Sequence, residues 1–272
     1  MKYKTPEVTV IIPVFKAHRT LERAINSIRN QTYSNEKIEI IVSVDDGLLY
    51  DEFKKLDRNI KLLKPSGKIM TGAGQARNRG IKVAKGKLVG FLDADDTWSQ
   101  NYLKELVPIA LRYGVAFSKT EIFNNNGEHV CLLDPGFNIQ IKHFGLIPGS
   151  FHPLVIRKFA GPFPEGPTQD VIHAIRLLKK IHYRYKQPLN AKYELWLNKS
   201  SKTAEKKFSK LADNSYKKWR YYYLKKTNIK MYYSDLEIIK ALQLKINWNN
   251  RYISSRSKES FYEFISKKIK FS

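Results

Sequence analysis

Cysteine is nearly missing from this chain: Cys131 is the one thiol in 272 residues. Its isolation excludes a disulfide framework and a thiolate metal site, and it fits a reducing, cytoplasmic setting. Long apolar runs are missing too, since no stretch approaches the roughly 20 apolar residues that a membrane span requires. Residues 8–14 are apolar, but they are short, include Pro13 and lack a small-residue cleavage site, so they do not read as a signal peptide. Acidic residues are scarce: 25 Asp and Glu stand against 49 Lys and Arg, for a net charge of +24. The imbalance is uneven, with 24 basic against 18 acidic residues in 1–170 and 25 against 7 in 171–272. Such a field attracts polyanions or the anionic face of a membrane, and says nothing about fold.

Several catalytic signatures are also absent. There is no His-Glu-x-x-His and no Gly-x-Ser-x-Gly nucleophile elbow. Gly72-Ala-Gly74 begins like a dinucleotide fingerprint, but Arg77 takes the third glycine's place and several strand–helix units precede it. Gly80 to Lys87 has one residue too many between its glycines for a phosphate loop, and Leu88 replaces the Ser or Thr that would hold magnesium.

What is present is ample apolar material, 42% of the chain, enough for one large domain or a domain with an appendage. Val8 to Val14 is a run of β-branched residues that Pro13 is expected to end. Leu21, Ala24, Ile25 and Ile28 then recur at helical spacing. Ile38–Val44 and Ile60–Leu63 read as further strands, the first stopping in Asp45-Asp46-Gly47. Gly72 to Ala84 opens a helix, and Gly86 turns the chain into the apolar run Leu88 to Leu92. Ser99 is expected to cap a helix with Leu103, Leu106, Val107, Ala110 and Leu111 on its apolar face, bent at Pro108. Strands alternating with helices predict a doubly wound, mostly parallel, Rossmann-like α/β sheet.

The run Leu88 to Leu92 stops abruptly in Asp93-Ala-Asp95-Asp96. In open α/β sheets ligands collect at the carboxyl ends of strands, so these acids should face a cleft. Clustered carboxylates repel unless a cation lies between them, and magnesium or manganese held by one or two of them completes its shell with substrate phosphates. A polar turn capping the next helix is the plainer alternative.

Taken in order, Val8–Phe15, Asn30-Gln-Thr-Tyr33, Val44-Asp-Asp-Gly47, Ala76-Arg-Asn-Arg-Gly80 and Phe91-Leu-Asp-Ala-Asp-Asp96 resemble the family-2 inverting glycosyltransferases of the GT-A fold. The likeness is clear over 7–112 and weaker over 113–200. It implies a GT-A domain over 1–200, with a nucleotide-sugar half at 1–112 and an acceptor half at 113–200, followed by a basic helical extension over 201–272. Donor contacts fall on Pro13, Phe15, Asp46, Arg77, Asp93 and Asp95: Phe15 to stack on uracil, Asp46 to accept its imide hydrogen, Arg77 to approach base or diphosphate. Asp95 and Asp96 are the implied ligands of Mn2+ or Mg2+. Asp170, which opens an apolar helix after Ala160-Gly-Pro-Phe-Pro-Glu-Gly-Pro, matches the family's general base, although Gln169 stands where Glu is usual and Glu165 is a second candidate. His152 falls where family members line the acceptor pocket. The partners implied are a nucleotide-diphospho-sugar, UDP-linked, and a glycan or lipid-linked acceptor, with no specific nucleic acid.

Beyond the strand-like Tyr193–Leu197 the resemblance fades. Lys199 or Lys202 can neutralise a diphosphate or sit in a solvated loop. Phe208, Leu211, Ser215, Trp219 and Tyr222 trace one helix face, and Ser234-Asp-Leu-Glu237 reads as a capping box for a helix carrying Leu236, Ile239, Leu242 and Ile246. Phe261, Phe264, Ile265 and Ile269, interleaved with Lys267, Lys268 and Lys270, make a basic amphipathic helix that fits an anionic membrane surface; packing on the catalytic domain is the alternative. Two other classes compete. A nucleic-acid-binding protein would explain the charge but lacks a recognisable module, and a donor-binding protein without catalysis would explain Gln169.

Overall fold

The computed structural model describes residues 5–136, 139–147, 149, 151–181, 190–197, 206–227 and 232–268. Lys199, Lys202, Ile269 and Lys270 lie outside the described residues. The chain runs β1 (Val8–Val14), α1 (Leu21–Arg29), β2 (Ile38–Val44), β3 (Ile60–Leu63), α2 (Ala73–Val83), β4 (Leu88–Phe91), β5 (Thr97–Trp98), α3 (Tyr102–Tyr113), β6 (Val115–Phe117), β7 (Lys119–Phe123), β8 (His129–Leu133), α4 (His143–Leu146), β9 (Pro153–Ile156), α5 (Gln169–Lys180), β10 (Lys192–Trp196), α6 (Lys206–Thr227), α7 (Tyr233–Ser254) and α8 (Phe261–Ser266).

The larger sheet has the order β3-β2-β1-β4-β9-β6. Its first four strands are parallel; β9 is added antiparallel to β4, and β6 antiparallel to β9, so that β9 alone runs against the rest of the sheet. All seven residues of β1 and of β2 are buried, as expected of central parallel strands covered on both faces. A second sheet, β5-β10-β7-β8, sits beside the first. One face of α2 lies so close to the large sheet that a Cβ on Gly80 would come within 2.6 Å of Ile11. The same kind of approach recurs where α4 meets α7: a Cβ on Gly145 would lie 2.6 Å from the Cα of Ala241. Helices α6, α7 and α8 share one apolar core with α5 and both sheets, through Ala212, Tyr216, Ile238, Leu242 and Ile265.

Several local expectations are corrected. Pro13 does not end β1; it pairs in register with Ser43 beyond the stretch where β4 binds, so no partner on that side requires its missing N–H. Ser99 does not cap α3. Its Oγ donates to the carbonyl of Asn190 and accepts from the backbone N–H of Lys192, tying the start of β10 to the strand ends, while α3 begins three residues later. Leu111 is 44% exposed and outside the α3 core face. The buried side of α6 is Ser209, Ala212, Asp213, Tyr216 and Tyr223, one position on from the predicted stripe, and Leu211 and Tyr222 lie outside. Ser234 lies inside α7, which opens at Tyr233; the capping box forms instead at Ser260 and Glu263 of α8. Tyr262, Phe264 and Ile265 of α8 are buried in the protein, so that helix does not offer its apolar side to a lipid surface. Among the described residues no helix is long and apolar enough to cross a membrane.

Candidate active site

The carboxyl end of β4 sets the site. After Phe91 the chain turns through Asp93 and Asp96, where Asp96 N–H donates to the Asp93 carbonyl at 3.1 Å. The three acids are not equivalent. Asp96 is buried; its Oδ2 accepts from the Tyr193 hydroxyl at 2.7 Å and its Oδ1 from the Trp196 backbone at 2.9 Å, so both oxygens fasten β10. Burial pushes its carboxyl well above the usual range, and the nearby Asp95 and Asp93 push it further. Asp93 faces the cavity and pairs with Nη2 of Arg77 on α2. Asp95 is partly exposed, and its carbonyl accepts from Arg23 at 2.6 Å.

Arg77 is a buried guanidinium, 1% exposed. Burial works against its charge, but Asp93 and then Asp170 favour it more strongly, and it stays protonated. Its Nε and Nη1 have no hydrogen-bond partner within the protein. Such orphaned donors in a buried cation are what an oxygen-rich ligand would satisfy.

Asp170 enters from α5, in the first turn, where the helix dipole favours a negative charge. The residue before the helix, Thr168, has φ +66°, an uncommon backbone for a β-branched residue. Ser215 of α6 holds that turn, its Oγ 2.9 Å from both the Thr168 hydroxyl and the Pro167 carbonyl. Asp170 is close enough to act electrostatically on Arg77, His152, His173, Tyr216, Lys245 and Tyr262. A cavity of about 690 Å³ collects Arg77, Asp93, Asp96, His152, Glu165, Gln169 and Asp170 on its wall. Asp170 is itself on that wall, within electrostatic reach of groups from five other segments.

Comparison with known proteins supports the family-2 resemblance. Residues 9–130 match the profile of glycosyl transferase family 2. Those residues, a little under half of the chain, are the part that the comparison assigns to the family. Over 164 residues it is 34% identical to the UDP-Glc:alpha-D-GlcNAc-diphosphoundecaprenol beta-1,3-glucosyltransferase WfgD of Escherichia coli, covering 57% of this chain and 62% of that protein. The match therefore spans less than two thirds of that relative's length. Its fold is similar to S. aureus TarS 1-349 in complex with UDP-GlcNAc, with a TM-score of 0.66 at 17% identity, over 97% of this chain and 76% of that one. It is also similar to the mannosyltransferase PcManGT from Pyrobaculum calidifontis in complex with GDP-Man and Mn2+, with a TM-score of 0.60 at 16% identity, over 92% and 72%. The GT-A architecture expected from the motifs is the one observed.

Within this family fold, some expected residues are not on the cavity wall. Pro13 is buried inside β1. Asp46 holds the loops around it: Oδ2 accepts from the Lys16 backbone at 2.5 Å and the Tyr50 hydroxyl at 2.8 Å, and Oδ1 from the Leu48 backbone at 2.9 Å. Asp45 does similar work, accepting from Thr71, Gly72 and Arg79. Burial alone would raise both acids, but these hydrogen bonds outweigh it and hold both below the usual carboxylate range. Phe15 is not core; it is 46% exposed beside this cluster, and Leu48, Leu49, Ile69 and Met70 on the adjoining loops are 41–66% exposed. Among the described residues the three non-glycine positions with positive φ are Lys16, Met70 and Thr168, and each borders Asp46, Asp45 or Asp170. Stored strain of this kind collects at functional sites.

Sequence reasoning missed Lys245, Asn249, Tyr216 and Tyr262, all on the cavity wall. A signal for two of them existed. Lys245 and Asn249 continue the apolar stripe Ile238–Leu242 at helical spacing, where a solvated residue does not belong. His173 was missed as well. It stacks on Phe163 at 3.8 Å, and its Nε2 must carry the proton it donates to the Ala160 carbonyl at 2.8 Å. Burial drives its pKa down to about 3. Below pH 6.5 the unfolded chain takes up a proton here that the folded chain refuses, so the stability present above that pH drains away as the pH falls toward 3. The loss at pH 5 should be about 2 kcal/mol. Urea unfolding at pH 7 and pH 5 checks this: His173→Phe should show a drop smaller by that amount, and an unchanged drop would refute a buried neutral imidazole.

Proposed function

We propose that the chain is an inverting glycosyltransferase, moving a sugar from a nucleoside diphosphate sugar, UDP-linked, to a hydroxyl of a glycan or lipid-linked acceptor. The observation that carries this reading is the meeting of Asp170, Arg77 and Asp93 in one cavity at the end of β4. Inversion requires one displacement at the anomeric carbon, with the acceptor hydroxyl attacking opposite the leaving diphosphate. Asp170 takes the proton of that hydroxyl as the new C–O bond forms. Arg77 offers Nε and Nη1 to oxygens beside Asp93, and its fixed fork orients a planar or phosphate group. His152, stacked on Tyr193 at 4.2 Å and held below its usual pKa by burial, supplies a neutral wall on the acceptor side. The exposed Phe15 and its apolar neighbours offer a face for the base, with Asp46 behind them.

A divalent ion fits these residues. Among the described residues no three acidic, His or Cys side chains form a cage, but a hard cation that shares its shell with substrate phosphates needs only one or two carboxylates. Because both oxygens of Asp96 serve β10, the ligands fall to Asp95 with Asp93, the two acids that add to the effect of burial in raising Asp96. Manganese or magnesium, when bound, offsets the charge developing on the departing nucleoside diphosphate.

The acceptor class follows the Escherichia coli relative, whose acceptor is alpha-D-GlcNAc-diphosphoundecaprenol. Melting curves test the donor side. UDP at about a hundred times its dissociation constant, with manganese, should raise the melting temperature by about 5 °C. Asp95→Ala should remove the manganese-dependent part of that rise. An identical rise in chelator, or none with any nucleoside diphosphate, would refute the reading.

A further inference from the structure

The cavity has a second wall whose polar groups the displacement chemistry leaves unused. Lys245 and Asn249 lie one turn apart on α7, only 4% and 6% exposed, and both line the cavity that holds Asp170. Nζ of Lys245 donates to the carbonyl of Gly149, which leaves two further N–H bonds on the ammonium. Nδ2 of Asn249 has no hydrogen-bond partner in the protein. Leaving such a group dry and unpaired is costly, and a buried ammonium costs more still. Burial draws the pKa of Lys245 down to about 7, with Asp170 pulling it back up. Tyr216 and Tyr262 stand on the same wall as undissociated phenols, their pKa values raised by burial and by Asp170. This wall therefore presents hydrogen-bond donors and, on Lys245, a group that an anionic ligand would hold in its cationic form. A neutral sugar hydroxyl, which both donates and accepts, does not require that set, whereas a phosphate oxygen, which accepts only, matches it.

We propose that Lys245 and Asn249 form a subsite for the phosphate or diphosphate group of the acceptor, separate from the donor diphosphate at the end of β4. The assignment deepens the transferase reading and rests on it: Asp170 lies within electrostatic reach of Lys245, so an acceptor anchored by its phosphate on α7 brings its sugar hydroxyl toward the base.

Calorimetry on the full chain, saturated with UDP and manganese, tests this. Two probes are titrated: α-N-acetylglucosaminyl methyl diphosphate and the neutral methyl α-N-acetylglucosaminide. The diphosphate probe should bind at least about tenfold more tightly, the range expected of charge-assisted hydrogen bonds. Lys245→Met should abolish that preference. Asn249→Leu should reduce it several-fold, and because Nδ2 has no protein partner the amide donor can be removed without breaking an internal bond of that nitrogen; an unchanged urea midpoint checks that the fold is kept. UDP binding should be unchanged in both. Equal affinity of the wild-type chain for the two probes, or a preference that survives both substitutions, would overturn the assignment. Binding of the diphosphate probe only when UDP is left out would give the wall to the donor instead. Inorganic pyrophosphate binding as tightly as the probe, with the same response to the variants, would make it a site for free phosphates and reject an acceptor role. Asp170→Asn should keep the probe bound while transfer is lost, so failure of the base assignment and failure of the subsite read out separately.

Discussion

Asp170→Asn is expected to lower kcat by about a thousandfold while leaving UDP binding intact, as loss of a general base does. The substitution keeps the shape of the side chain and its place in the first turn of α5, but an amide cannot take the acceptor's proton. Because the turn before it is held by Ser215 of α6, the fold should not change. Glu165 provides the internal comparison. It lies exposed at the rim, its Oε1 at 3.4 Å from the amide of Gln75, so Glu165→Gln should stay within a few-fold of wild type. A reversed pattern, with Glu165 essential and Asp170 dispensable, would move the base to the rim and end the present assignment. Single-turnover transfer from a UDP-sugar, alongside UDP titration of each variant, separates chemistry from binding.

The second large effect concerns stability. The buried Arg77 pairs with Asp93, which is 34% exposed on the cavity wall, and leaving a buried charge without its partner costs up to about 3–5 kcal/mol. Asp93→Asn should therefore destabilise the chain by about 3 kcal/mol, because it leaves a 1%-exposed guanidinium without its main counterion. Arg77→Met with Asp93→Asn should cost clearly less than the sum of the two single changes, as expected for residues in contact. Urea unfolding of the four proteins gives the coupling directly. Strict additivity would mean that the pair contributes nothing beyond its separate members, and Arg77 would then lose its role as a fixed, precharged donor.

The parts of this molecule that were legible in the sequence are those written locally. The strands β1, β2, β3 and β4 were readable because apolar runs stop at turn residues or acids, and α5 because Asp170 precedes a helical stripe. Motif order supplied the rest of the donor half. What escaped depended on contacts between distant segments. Asp96 looks like its neighbours until β10 is folded over it, and then both of its oxygens are taken. Ser99 is a good cap by type, but the edge of β10 competes for its hydroxyl and wins. The face of α6 was misplaced by one position, since Tyr216 and Tyr223 turn inward while Leu211 and Tyr222 stay outside. Lys245 and Asn249 sit 75 and 79 residues after Asp170, and no local pattern announces that they share its cavity.

The bare glycine at 145 acquires a meaning from this arrangement. Its hydrogen rests where α4 meets the backbone of Ala241, four residues before Lys245 on the same helix. The short α4 also leads toward Gly149, whose carbonyl the lysine grips. One added carbon at position 145 would therefore prise α7 outward at one point and strain its tether at another. A methyl group at a position outside the lining of the hollow would thus be expected to disturb its far wall.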